Sequence, residues 1–172
     1  IGTSLLNEII VEKRFKDTNK ILEEMRKQNI KSLNQDIADD QKDGMDISLC
    51  KLNLKKKTLE FSGAHNPLVI VSGNEIKTFK GDSQAVGLET VDKKPFTKHS
   101  MKLKKEDMIY ICSDGYQDQF GGDNGKKYMT ANFKKLLLKV SKEDERKQNK
   151  LLEKELVNWM KNEAQIDDIC VM

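Results

Sequence analysis

Proline is nearly absent, histidine is scarce, and no long apolar run occurs. The chain has 172 residues, with 2 prolines and 2 histidines. No apolar run approaches the ~18 residues that a membrane-spanning helix needs, and no signal peptide is visible. Two histidines support no Ser/His/Asp catalytic set. His99 lies in a strand pattern among polar residues and is expected to be exposed. His65, in "GAHNP", sits in a tight turn before Pro67, where it and Asn66 either stabilise the turn or line a site. Excess charge of one sign is also lacking. The 31 basic and 28 acidic residues leave a net charge of +3, which argues against a dedicated nucleic-acid binder. The basic runs "KLNLKKK" and "KLKK" read as hairpin and edge charges. The three cysteines, Cys50, Cys112 and Cys170, share no metal-type spacing. They read as buried thiols in a reducing compartment, which predicts a cytoplasmic location for these residues and leaves membrane anchoring of a longer parent open.

What is present is a well-solvated globular composition, 34% charged and 37% hydrophobic, of a length suited to one domain over residues 1–172. "SLLNEII" places Leu5, Leu6, Ile9 and Ile10 on one helical face. "DTNKILEEMRKQ" predicts a second helix, capped by Asp17 or Thr18, with Ile21, Leu22 and Met25 on its apolar side. The polar segment "NQDIADDQKDG" breaks it. From Met45 the period becomes two. A parity shift toward Leu52 and Leu54 suggests a bulge near Cys50. "TLEFSG" returns as a partner strand, and "LVIVSGNEIKTF" predicts a hairpin turning at Ser72–Gly73–Asn74. Strands come next around "FTKHSMKL" and in "DMIYIC", the latter apolar enough to be central. Helical periodicity resumes with Phe133, Leu136, Leu137 and Val140. Ser141 and Asp144 form a candidate capping box for a long helix through Asn162, with Leu152, Leu156, Trp159 and Met160 on its core face. "ICVM" closes the chain as a strand. Helices, antiparallel strands, helices and a last strand make an α+β layout with helices packed on sheets.

The chemistry concentrates where apolar strands meet carboxylates. "DMIYIC" runs straight into Ser113, Asp114 and Gly115, with Asp118 one helical turn on. Burying a lone carboxylate costs several kcal/mol, roughly, so a carboxylate at a core strand's end calls for a partner. A divalent cation is one, since hard cations take carboxylate oxygen. "QIDDICVM" places Asp167 and Asp168 at the start of another apolar strand. If the two strands are antiparallel neighbours, Asp114 and Asp167 converge and Asp118 can join them. Taken singly, Asp before Gly and Asp before a strand are ordinary turn and cap chemistry. Two other patterns fail. "DDQKDG" begins like a calcium loop, but its twelfth place is Cys50. "GGDNGKK" has the wrong glycine spacing for a phosphate loop and no Ser/Thr after the lysine.

"DGMDISLC", "FSGAHNPLVIV", "YICSDGYQDQFGG" and "QIDDICVM", in this order, resemble the successive motifs of the stage II sporulation protein E family, bacterial serine phosphatases related to the metal-dependent type 2C protein phosphatases. The resemblance runs over essentially the whole chain. It implies a sandwich of two mainly antiparallel β-sheets flanked by helices, with two Mn²⁺ or Mg²⁺ ions between the sheets and a metal-activated water that attacks phosphorus in line. By resemblance Asp114 and Asp167 are metal ligands, Asp118 stands at a further acidic position where an additional metal binds, Gly115 allows the turn, and Asp168 shapes the turn at the second motif. The substrate implied is a phosphoserine or phosphothreonine protein, by analogy an anti-sigma-factor antagonist, and a sensor region is expected upstream in the parent. One departure stands out. The family's first metal-ligand strand and Gly-His-Gly-type loop are missing, and "IGTSLLNEII" resembles the helix immediately after them. The domain is therefore expected to be incomplete at its N-terminus, and slightly at its C-terminus, with weak metal binding and little activity alone. The alternative is a non-catalytic phosphatase-like binding module; a further reading is a plain α+β scaffold with solvated turns.

Overall fold

A computed structural model describes residues 2–32, 44–87 and 94–172. In chain order the elements are α1 (Gly2–Asn7), which continues into a π-helical turn (Glu8–Glu12), α2 (Thr18–Ser32), β1 (Gly44–Met45), β2 (Ile47–Asn53), β3 (Thr58–Ala64), β4 (Leu68–Ser72), β5 (Glu75–Phe79), β6 (Val86–Gly87), β7 (His99–Lys102), β8 (Met108–Ile111), α3 (Gly115–Asp118), β9 (Phe120–Gly121), β10 (Lys126–Lys127), α4 (Thr130–Val140) and α5 (Glu145–Met160). The α+β layout with antiparallel sheets is as expected. The described residues divide into two compact units, Ile1–Leu68 with Phe79–Lys104, and Val69–Thr78 with Lys105–Met172.

In the first unit β2, β3 and β7 form an antiparallel sheet in that order, and β1 pairs with β6. Helix α2 buries Ile21, Leu22 and Met25 against Ile9, Ala64, Val86 and Phe96. The period-3.6 stripe read from the sequence thus has its expected use. Other expectations do not hold. The predicted face of the first helix breaks at Ile10, which is exposed while Leu5 and Ile9 are buried. The cause is the π turn, closed by Lys13 N–H donating to the Glu8 carbonyl at 3.0 Å, which inserts one residue per turn and rotates the later residues out of phase. Asp17 directly precedes α2, its carboxylate accepting from Lys98, and the Thr18 hydroxyl is paired with Ser62. There is no bulge at Cys50: Ile47 to Asn53 pair with Ala64 to Thr58 in unbroken register. The parity shift instead reflects Leu52 and Leu54 being exposed. His99 is half-buried rather than exposed, lying against Phe61 and Phe79. The polar segment after α2, including "DDQKDG" up to Asp43, lies outside the described residues.

In the second unit β4 sits between β5 and β8. Val69, Val71, Tyr110 and Cys112 meet Tyr116, Tyr128, Phe133, Leu136, Leu137 and Val140 in one core. Phe133, Leu136, Leu137 and Val140 are the predicted stripe of α4. The expected capping box is shifted by three residues. Asp144 is itself the N-cap of α5 and accepts from Lys147 N–H at 3.0 Å, whereas Ser141 closes α4. "GGDNGKK" is the turn of the β9–β10 hairpin. The terminal strand is reduced to a single antiparallel bridge, Cys112 with Val171. Cys112 is buried, but Cys50 is only half-buried and Cys170 is exposed, so not all thiols are interior as expected; all three are free.

Candidate metal centre

The site is built where β8 ends. Backbone bonds between Ile111 and Met172 run both ways at 3.0 and 2.9 Å, and Ser113 N–H donates to the Cys170 carbonyl at 3.0 Å. The terminal segment is therefore laid antiparallel beside the end of β8, the neighbourhood that the two apolar patterns imply. The Ser113 side chain fastens the last step. Its hydroxyl donates to the Asp168 carbonyl at 2.7 Å and accepts from Cys170 N–H at 2.9 Å. Gly115 permits the approach. A Cβ built there would lie 2.4 Å from the Asp168 carbonyl oxygen, well inside van der Waals contact.

Asp114 opens α3 as its N-cap residue but makes no side-chain capping bond. Its carboxyl faces Asp167 instead. Although the residue as a whole is exposed, its carboxyl is partly shielded. Burial pushes it above the ordinary carboxylate range. Its own backbone N–H pulls it back, and the charges of Asp167 and Asp118 push it up again. The Asp114 and Asp167 carboxyls are neighbours, near enough for the charge of Asp167 to act on Asp114. Two carboxylates in that relation repel unless a proton or a cation lies between them. Asp167 also accepts from Asp168 N–H at 2.7 Å, which stiffens the Asp-Asp turn. Asp168 contributes its backbone to the site and its side chain is exposed.

Asp118 comes one turn after Asp114, its N–H donating to the Asp114 carbonyl at 3.0 Å. Its carboxylate is paired with Lys127 at 2.9 Å. Among the described residues no three His, Cys, Asp or Glu side chains form a metal-holding group. The structure thus brings Asp114 and Asp167 together and gives Asp118 a lysine partner. His65 and Asn66 belong to the other unit. There His65 is exposed with φ 56°, its N–H donates to the Asp82 carbonyl at 2.9 Å, and Asn66 N–H donates to the Ala64 carbonyl at 2.6 Å. That is a turn held by its backbone. Sequence reasoning missed the fastening role of Ser113 and the pairing of Lys127 with Asp118. The first had a signal, a hydroxyl at a strand end beside an Asp-Gly turn; the second had none.

A sequence model described as Stage II sporulation protein E (SpoIIE) matches residues 6–172. The chain belongs to the stage II sporulation protein E family. Solved structures of phosphatase domains share its fold. The SiaA-PP2C domain of Pseudomonas aeruginosa superposes with a TM-score of 0.83 at 21% identity, covering 98% of this chain and 63% of that one. The phosphatase domain of the cell-fate determinant SpoIIE from Bacillus subtilis, manganese-presoaked, gives 0.58 at 19% identity over 91% of this chain and 70% of that one. A Mycobacterium tuberculosis structure of RsbU and RsbW domains gives 0.68 at 16% identity over 98% and 44%. No curated protein matches the chain. This SpoIIE-family chain spans 63% of the length of the SiaA domain structure. Its helices, among the described residues, include none long and apolar enough to cross a membrane.

Proposed function

We propose that this chain is part of a divalent-metal-dependent protein serine/threonine phosphatase, with Asp114 and Asp167 as metal ligands. The observation that carries the reading is the convergence of these two carboxylates at the end of β8, neither of them in an ion pair among the described residues. The donor set suits the group: two hard carboxylate oxygens, held by a strand end and a tight turn, match Mn²⁺ or Mg²⁺ rather than a softer ion. When bound, the metal would supply a water of lowered pKa and charge stabilisation for phosphoryl transfer. The chain's own residues do the positioning. Ser113 ties the terminal segment to β8, Gly115 lets the two strands close, and Asp168 gives its carbonyl to Ser113. Two carboxylates are fewer than a two-metal centre uses. The 172 residues alone should therefore bind the ion weakly and turn over little. The SpoIIE family and the manganese-presoaked relative support the metal. The relatives with SiaA, RsbU and RsbW domains are consistent with a protein substrate, which we propose is a regulatory phosphoprotein.

A second reading, a phosphatase-like module without catalysis, draws on the Lys127–Asp118 pair, in which a fixed ammonium already neutralises one carboxylate of the cluster. Manganese titration by electron paramagnetic resonance separates the two. Saturable binding that Asp114→Asn and Asp167→Asn each abolish supports the phosphatase reading, and hydrolysis of a phosphoserine protein by the full-length parent completes it. Binding unchanged in both variants overturns it.

A further inference from the structure

Gln119 is a polar side chain in the interior of the second unit that the metal-ligand reading does not use. It is the C-cap residue of α3, at the end of the stretch that carries Asp114, and it is fully buried. Burying an amide is costly unless its polar groups are bonded, and an apolar side chain would fill the same space. The Gln119 Nε2 donates to the Phe120 carbonyl at 3.1 Å and to the Ala164 carbonyl at 2.8 Å. Two carbonyl acceptors fix the orientation of the amide, because the reverse placement would set its oxygen against both. The backbone of Gln119 is held independently. Its carbonyl accepts from the Tyr128 N–H at 2.9 Å and from the Trp159 indole N–H at 3.0 Å. Those two rings meet edge-on, with centroids 5.2 Å apart. The donor therefore stands on a firm base.

The acceptor belongs to a segment that needs holding. After α5, residues 162–168 are all exposed, Ile166 by 55%, so apolar burial does little to fix them. Side-chain hydrogen bonds attach this segment to the stretch carrying Asp114 at both of its ends. Gln119 Nε2 holds the Ala164 carbonyl, three residues before Asp167, and Ser113 Oγ holds the Asp168 carbonyl, one residue after it. Asp167 is thus slung between two attachments, and both come from residues that flank Asp114. Where those bonds are made sets how far apart the two carboxylates stand.

We propose that Gln119 is a positioning residue for Asp167: its side-chain amide, by holding the Ala164 carbonyl, keeps the Asp167 carboxylate beside Asp114. Gln119 touches neither carboxylate and acts through the backbone of the segment. The consequence for metal rests on the reading of Asp114 and Asp167 as ligands, whereas the tether itself does not. Groups that orient a metal ligand from behind govern affinity nearly as strongly as the ligands do.

The experiment compares the ¹⁵N-labelled 172-residue chain with Gln119→Met, which keeps an unbranched side chain of similar size and removes the donor. In the metal-free protein, backbone order parameters at residues 165–167 should fall from about 0.85 to below about 0.6, with those of α4 and α5 unchanged. Mn²⁺ affinity, read by electron paramagnetic resonance, should weaken by roughly tenfold or more. Tyr110→Phe, which removes a buried bond to Gln148 in the same unit, is the control. It should lower the melting temperature and move neither readout. If Gln119→Met does not fold, Gln119→Asn replaces it with the same expectations, since its amide is one methylene too short to reach Ala164. Unchanged order parameters overturn the proposal. So does lost order with wild-type Mn²⁺ affinity, or an equal response in Tyr110→Phe. If the wild-type chain binds no Mn²⁺, the phosphatase reading fails, and the order parameters still decide whether Gln119 holds the Asp167 turn.

Discussion

Replacing Gly115 by alanine tests whether the end of β8 and the Asp167–Asp168 turn are held together by close backbone contact. The added Cβ would sit 2.4 Å from the Asp168 carbonyl oxygen, 3.0 Å from its carbon and 3.1 Å from Ile169 Cγ1. The first contact is about 1 Å short of ordinary van der Waals separation, and the atom it meets is backbone, which cannot rotate aside. The terminal segment must therefore move by about that distance. A shift of that size takes the Ser113 Oγ–Asp168 carbonyl bond, now 2.7 Å, out of hydrogen-bonding range. Overpacking of this kind costs about 1–3 kcal/mol and a lost hydrogen bond about 1 kcal/mol. Together they lower the melting temperature by roughly 5–10 °C in a chain of this size. Thermal unfolding by circular dichroism measures the first part. Hydrogen exchange at Ile111 and Met172, which bond to each other both ways, measures the second, because the segment can detach without the core melting. Gly115→Ala with wild-type melting temperature and wild-type protection at both amides would refute the reasoning.

Asp114→Asn should stabilise the metal-free protein at neutral pH. The Asp114 carboxyl is raised in the folded state by burial and by the charges of Asp167 and Asp118, so its ionised form is disfavoured there. Wild type is spared this penalty below the unfolded-state carboxylate range, near pH ~4, and incurs it as pH rises through the folded value. The gap in melting temperature favouring Asn should thus be present at pH 7, vanish near pH 3, and change sign in saturating Mn²⁺. Met129 holds φ 74° and ψ 143° at the N-cap of α4, a conformation that side chains resist. Met129→Gly should stabilise by about 1 kcal/mol, once the extra unfolded-state entropy of glycine is set against the relieved strain, as read by urea unfolding. Iodoacetamide at pH 8 followed by mass spectrometry should label the exposed Cys170 first. Cys112 and Cys50 should lag, because burial pushes both thiols up to about 11.

The legible part of this molecule is the part governed by periodicity. Ile21, Leu22 and Met25, or Phe133 to Val140, must share a face if they are helical at all, and they do. The strand "DMIYIC" announces its end because an apolar pattern cannot continue through Ser-Asp-Gly. Illegible features come from phase and from pairing. A π turn slips the helical phase by one residue without altering which residues are apolar, so Ile10 looks as buried as Ile9. A bulge and an exposed leucine leave the same trace in a pattern, and at Leu52 the exposed leucine is the correct answer. Lys127 and Asp118 are nine residues apart and meet because the β9–β10 hairpin returns the chain. Nothing in the spacing of either residue encodes that.

The same distinction bears on the role of Asp114. An aspartate that merely caps a short helix uses its carboxylate on the helix's free N–H groups. Asp114 is at that position and does not. A turn aspartate would also gain by standing apart from other acids, yet Ser113 and Gly115 act together to bring the Asp167 turn up against it. The resulting repulsion is a cost of the metal-free fold that no capping role repays; on the proposed reading a cation between the two carboxyls offsets it. If the Asn variants at 114 and 167 each raise the metal-free melting temperature while each eliminating manganese binding, the repulsion and the affinity have one origin. If they stabilise without affecting metal, the two acids are neighbours by accident of the turn.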